Sequence, residues 1–206
     1  MIEDVKKYFK KSKPTHDFSH TLRVLNLCMH IGEREGARLE VLRVAALLHD
    51  VGREKADEMK IDHAELGAEI ARSFLKRKGF DKDFIEKVTS CILTHRFRGE
   101  NMPKTLEAKV LYDADKLDAI GAIGIARAYS YAGENSQKLY SDFNKSHKIT
   151  KIVNHKNHTP VAEFKVKLSK IKEKMLTREG KRLAEERHIF MEEFFERLKK
   201  EVEGEV

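Results

Sequence analysis

Five residues in four short stretches carry the chemistry of this chain: His20 in HDFSHTLRV, the adjacent His49 and Asp50 in ALLHDVG, His95 in ILTHRF, and Asp115 in LYDADKLDAIGAIG. Each falls on the apolar stripe of a predicted helix, where an unpaired imidazole or carboxylate is costly to bury. A divalent metal removes that cost, so together they read as a buried metal site. His20, Val24, Leu27 and Ile31 follow one another at intervals of four, three and four, which puts the imidazole on the buried face of its helix. His95 follows Val88 and Ile92 in the same way. One histidine so placed is ordinarily a hydrogen-bonded core residue; several, joined by acids at helix ends, point to a metal.

His49 and Asp50 are the sharpest local signal. Successive helical residues point about 100° apart, so a ligand tucked between helices could meet both. The plainer reading is a C-terminal histidine favoured by the helix dipole beside a solvated aspartate. Asp113, Asp115 and Asp118 cluster in an otherwise basic chain, flanked by Leu111, Leu117 and Ile120, and Asp115 is the one a core-facing site would use.

The elements that must hold these residues are helical throughout. Apolar periodicity predicts a short helix over 3–11 stopping before Pro14, a helix from Asp17 to about Glu35 ended by Gly36, and one from Leu39 to Val51 ended by Gly52. Asp62 followed by Glu65 has the form of a capping box and starts a helix to about Lys78, with a small face of Gly67, Ala68 and Ala71. A helix from Asp81 to His95 follows, then one from Pro103 through Asp118, and then AIGAIGIARAY as a closely packed core helix. The stretch 133–160 is polar and weakly periodic and reads as a long loop, a lid candidate. Leu183, Phe190, Phe194, Leu198 and Val202 mark one face of a last long helix that could serve a homodimer as well as the core. With no repeat and no convincing strand, the fold class is all-α.

A length of 206 residues suits a single domain over 1–206. The formal charge of +7 favours anionic partners such as a phosphorylated substrate. The cations are scattered among acids and not gathered into a stripe with aromatics, which disfavours nucleic acid. Cys28 and Cys91 lie on apolar faces and read as buried thiols in a reducing compartment. No leader opens the chain and no apolar run approaches a membrane span, so a cytoplasmic protein without a membrane partner is expected.

The order of His20, His49-Asp50 and Asp115 resembles the HD superfamily of metal-dependent phosphohydrolases. HDFSHTLRV, AALLHD and DADKLDAIGAIGIAR look like one bacterial and archaeal branch of small HD hydrolases, over about residues 15–132, and the helices at about 161–204 resemble that branch's C-terminal helices. The resemblance implies an HD-domain helical bundle, with those C-terminal helices packing on a core that holds one divalent ion through His20, His49, Asp50 and Asp115. Mixed imidazole and carboxylate ligands suit Mn, Fe, Co, Ni or Zn. It further implies phosphate-ester hydrolysis through an activated water.

His63 and His95 match positions where some HD families bind a second metal bridged by the aspartate of the HD pair. Otherwise each would donate a hydrogen bond to substrate phosphate. His63, at a helix start, also reads as a capping-turn surface residue. Lys116 and Arg53 are the cations that would meet developing phosphate charge, and Arg23 and His16-Asp17 are groups that would orient His20. No GYP tripeptide follows His95, which disfavours the cyclic-dinucleotide phosphodiesterases. Arg53 stands where a deoxynucleotidase-like glutamate would be expected. His147, His155 and His158 read as solvated loop residues, and GAIG as close helix packing. The expected activity is therefore hydrolysis of a phosphorylated metabolite or nucleotide. A di-iron oxygenase or a non-catalytic nucleotide- or nucleic-acid-binding regulatory domain are the alternatives.

Overall fold

A computed structural model describes residues 1–9, 17–96, 102–142 and 158–206. Among the described residues the regular structure is helical and strands are absent: α1 (Ile2–Lys6), α2 (Phe18–Glu35), α3 (Leu39–Leu48), α4 (Arg53–Met59), α5 (His63–Arg77), α6 (Lys82–Thr94), α7 (Leu106–Leu117), α8 (Gly121–Glu134), α9 (Pro160–Val166) and α10 (Arg178–Glu203). The chain divides into two compact units. One comprises residues 1–115 with 176–180, the other 116–175 with 181–206.

In the first unit the caps act where the sequence places them. Asp17 accepts hydrogen bonds from the Ser19 and His20 amides, Asp62 from Ala64, and Asp81 from Phe84, each satisfying first-turn donors that have no partner within the helix. Gly36 ends α2 at φ 74, a left-handed conformation that costs a glycine little. α2 packs on α3, α3 on α6, and α5 on both α4 and α6. Their apolar stripes meet at Val24, Ile31, Leu42, Leu48, Leu75 and Ile92, all buried. Each such side chain contributes roughly 1.5–3 kcal/mol of transfer free energy.

Two boundaries differ from the periodicity. α3 ends at Leu48, so His49 is its C-cap and Asp50 lies in the turn beyond, and that turn enters the further short helix α4, which the pattern does not announce. The N-terminal helix is one short α-turn followed by a 3-10 turn over Lys7–Phe9. The turn after His49 comes very close to α5: a Cβ on Gly52 would lie 2.5 Å from the Gly67 amide nitrogen and 3.0 Å from the His63 carbonyl oxygen. Glycine at 52 is thus what lets the turn carrying His49 and Asp50 lie against the first turns of α5.

α7 runs out of the first unit after Asp115. Asp113, fully buried, accepts from the Leu176 amide at 2.9 Å, the Thr177 amide at 2.8 Å and the Thr177 hydroxyl at 2.6 Å, tying residues 176–180 into this unit.

In the second unit α8 packs on α9. Phe164 stacks on Phe195 with centroids 4.7 Å apart, and Asp118 pairs with Arg127 at 3.0 Å. The buried seam of α10 runs through Ala184, His188, Met191 and Phe195, whereas Phe190 and Val202, read from sequence as part of its apolar face, are exposed. The stretch read as a loop over 133–160 is helical at its ends, Gly133 and Glu134 closing α8 and Pro160 opening α9, while residues 137–142 and 158–159 are non-helical; 143–157, with His147 and His155, lie outside the described residues. His158 is paired with Glu163 at 2.8 Å.

Candidate metal centre

The first unit brings His20, His49, Asp50, Arg53, His63, His95 and Asp115 to one place. His20 comes from the first turn of α2, His49 and His95 cap the C-termini of α3 and α6, Asp50 and Arg53 sit in the turn into α4 and on its first residue, His63 opens α5, and Asp115 is near the end of α7. The four histidines and Asp50 are all less than 5% exposed. Asp115 and Arg53 form the accessible side, with side chains 16% and 22% exposed.

His49 and His95 share a device. Each donates its Nδ1 hydrogen back to the carbonyl three residues earlier, Ala46 at 2.8 Å and Ile92 at 2.6 Å. A carbonyl can only accept, so the neutral ring keeps its lone pair on Nε2. For His63, the Arg53 guanidinium donates to Nε2 at 3.1 Å, which again marks a lone pair there. Burial pushes all three imidazoles toward the neutral form. The His63 pKa falls to about 3, with the Arg53 charge adding to the effect of burial, and that of His95 to about 4, with His49 adding.

The Nε2 atoms of these three rings and of His20 face one carboxylate. Asp50 Oδ2 lies 3.7 Å from Nε2 of both His20 and His49; Oδ1 lies 3.4 Å from His63 Nε2 and 3.7 Å from His95 Nε2. Asp50 is thus common to two triads, His20–His49–Asp50 and Asp50–His63–His95. Asp115 Oδ1 joins the first at 3.5 Å from His20 Nε2. Burial would raise the Asp50 pKa, but the permanently charged Arg53 guanidinium, hydrogen-bonded to both carboxylate oxygens, outweighs it and keeps the carboxyl ionised.

A divalent ion fits this donor set. Ligands about 2.1 Å from a shared ion lie roughly 3.0–3.4 Å apart at adjacent positions. The His20 and His49 Nε2 atoms are 3.3 Å apart. His95 Nε2 is fully buried without a hydrogen-bond partner, a costly state for a lone pair unless a cation takes it. His49 and His95 are the C-caps of α3 and α6, and helix C-termini favour positive charge.

Among the other candidates, His63 is buried, not a surface residue of a capping turn. Asp113 and Asp118 are engaged elsewhere, and Lys116 follows Asp115 on α7, half-buried. Asp17 holds the turn that carries His20, with Arg23 donating to Ser19 at 2.9 Å; His16 lies outside the described residues. Cys28 and Cys91 are buried free thiols, and burial pushes Cys91 up to about 12. The back-bonding of His49 and His95 was open to sequence reading, because both stand at predicted helix ends. The role of Gly52 was not, since it depends on a tertiary approach.

Residues 17–120 match the model of the HD domain family. The uncharacterized protein YpgQ of Bacillus subtilis (strain 168) is 35% identical over 193 residues, covering 92% of this chain and 85% of YpgQ. The crystal structure of B. subtilis YpgQ in complex with ADP superposes with a TM-score of 0.76 at 31% identity, covering 100% of both chains. An HD-superfamily hydrolase from Bacillus thuringiensis gives a TM-score of 0.77 at 32% identity over 98% of this chain and 94% of that one. Among the described residues no helix is long and apolar enough to cross a membrane.

Proposed function

Because this chain belongs to the HD domain family and has the fold of its hydrolases, we propose that it is a metal-dependent phosphohydrolase cleaving a phosphate ester of a nucleotide or another small phosphorylated metabolite. The observation that carries this reading is the convergence of four imidazole Nε2 atoms on the two oxygens of Asp50, with Asp115 beside His20. His20, His49, Asp50 and Asp115 would hold a divalent transition metal such as Mn, Fe, Co, Ni or Zn. When bound, such an ion supplies a Lewis acid and a water whose pKa is brought toward neutrality.

The residues of the chain do the remaining work. The Ala46 carbonyl keeps the His49 ring in the tautomer that presents Nε2 inward. Asp50, ionised through the physiological range, orients a protic nucleophile by accepting its hydrogen bond. Arg53, at the accessible side with a permanent charge, binds phosphate oxygens, and Lys116, next along α7 from Asp115, is assigned the same task. His95 is neutral with Nε2 unprotonated, so it takes part as an acceptor; donating to phosphate from that atom would require the imidazolium.

A nucleotide is favoured within the substrate class because YpgQ, alike over its whole length, was crystallised with ADP. Metal analysis of the purified protein, followed by phosphate release from nucleoside mono-, di- and triphosphates and an aryl phosphate, tests the proposal. Metal-dependent turnover lost in Asp115→Ala is the expected result, and turnover undiminished by a chelator would refute it. The sharing of Asp50 by two triads favours one other reading, a di-iron oxygenase, for which anaerobic iron loading followed by oxygen consumption is the test.

A further inference from the structure

Asp62 stands directly before His63 and Arg96 directly after His95, and the two are paired: Arg96 Nη1 donates to Asp62 Oδ2 at 3.2 Å, across 34 positions of sequence. The other oxygen of that carboxylate, Oδ1, accepts from the Ala64 amide at 2.7 Å and so starts α5. Asp62 therefore holds the first turn of α5 with one oxygen and the residue just past α6 with the other. The rings of His63 and His95 lie with centroids 5.4 Å apart. His63 passes the constraint on, because its Nε2 accepts from Arg53 Nη2 at 3.1 Å. The same Nη2 donates to Asp50 Oδ1 at 3.1 Å, and Arg53 Nε to Asp50 Oδ2 at 2.7 Å. Contacts thus run unbroken from Arg96 to Asp62, to the turn carrying His63, and to Arg53.

We infer that Arg96 and Asp62 are positioning residues, an outer brace that sets the His63 ring and, through it, the direction in which the Arg53 guanidinium points. This rests on the reading of Arg53 as a group that binds phosphate. A planar fork held by one carboxylate can still hinge about it; Asp50 supplies two points of attachment and His63 the third, which fixes the plane. His63 is the first residue of α5, and helix ends fray, so its ring is only as steady as the cap beneath it. The Asp62 cap, anchored by Arg96 to the far side of the centre, steadies that turn. With side chains 22% and 39% exposed, the pair adds little to the stability of the whole fold, so its effect is local. Small displacements of a phosphate-binding group are enough to matter for binding and turnover.

The Arg53 Nε–H resonance of the metal-free full chain, identified by its loss in Arg53→Met, reads the brace without turnover. Asp62→Asn keeps a side chain able to cap α5 while weakening the pair, and Arg96→Met removes the pair from the other end. Each should speed solvent exchange of that Nε–H by roughly 5-fold, with the double variant no faster than either alone and Arg96→Lys nearer the wild type. On the Mn²⁺-loaded protein, inorganic phosphate should bind roughly 5-fold more weakly to Arg96→Met, at unchanged Mn²⁺ affinity and with the denaturation midpoint hardly moved. Wild-type exchange in Arg96→Met, or effects that add in the double variant, would overturn the inference. So would a loss of Mn²⁺ affinity in step with that of phosphate, which would make the pair a brace of the metal ligands and not of Arg53. A wild type that takes up neither Mn²⁺ nor phosphate would defeat the hydrolase reading instead, and the exchange measurement would still decide for or against the brace.

Discussion

The Nε2 atoms of His20 and His49 stand 3.3 Å apart, although α2 and α3 bring them from positions 29 residues distant in the chain. His49 has its hydrogen on Nδ1, bonded to the Ala46 carbonyl, so its inward nitrogen can only accept. Either His20 donates to it or both lone pairs are met by a cation, and Asp50 and Asp115 within 3.7 Å of His20 supply the negative charge a cation requires.

Removal of either carboxylate should therefore strip the ion. Asp115→Ala and Asp50→Asn are each expected to lower metal affinity by at least about 100-fold, and aryl-phosphate turnover with it. Metal content measured beside activity in the same preparation checks this. Wild-type metal content in both variants would sink the assignment of the site.

The approach of Gly52 to Gly67 sets the position of His49 and Asp50, since no Cβ fits between the turn and α5. Gly52→Ala is expected to cost about 1–3 kcal/mol of stability, as overpacking of a closed interior does. It should also weaken metal binding although no ligand is altered. Denaturant midpoints and metal titration of the variant decide whether the two losses come together.

His63 and His95 give the metal-free protein a defined pH response. Burial first, with Arg53 and His49 respectively as the next cause, lowers their pKa values to about 3 and about 4. Below the unfolded value of about 6.5 the unfolded chain takes up protons that the folded chain refuses, so unfolding gains and stability falls with falling pH down to those values. The denaturation midpoint should drop steadily from pH 7 to about pH 4.5, and His95→Gln should flatten the slope. An equal slope in the variant would count against a neutral buried His95.

Asp113 is expected to matter for stability and not for metal. Asp113→Ala leaves the Leu176 and Thr177 amides without their acceptor, at about 1–3 kcal/mol for each group that stays dry. Thermal melts and metal titration of this variant, set beside Asp115→Ala, should give opposite patterns two residues apart on one helix.

Much of this was legible in the chain itself. Asp17, Asp62, Asp81 and Gly36 cap helices where their local chemistry places them, because capping is settled within four residues. The convergence of His20, the His49-Asp50 pair, His95 and Asp115 followed from polar groups standing on apolar stripes. The helix α4 escaped notice because REKADEM buries only Ala56 and so carries no stripe. The face of α10 was misread at Phe190 and Val202 because its seam includes His188, a residue that hydropathy does not count as core. The fork of Arg53 over Asp50 and His63 depends on a turn geometry that spacing does not encode.

Residues 176–180 belong with the first unit through Asp113, although more than fifty positions of sequence separate them from the end of the HD match at residue 120. A gene shortened to that match would not yield a smaller working copy of the protein. It would carry a buried carboxylate stripped of its three donors, two residues from Asp115, and any attempt to graft this centre onto another scaffold has to bring that distant clasp along.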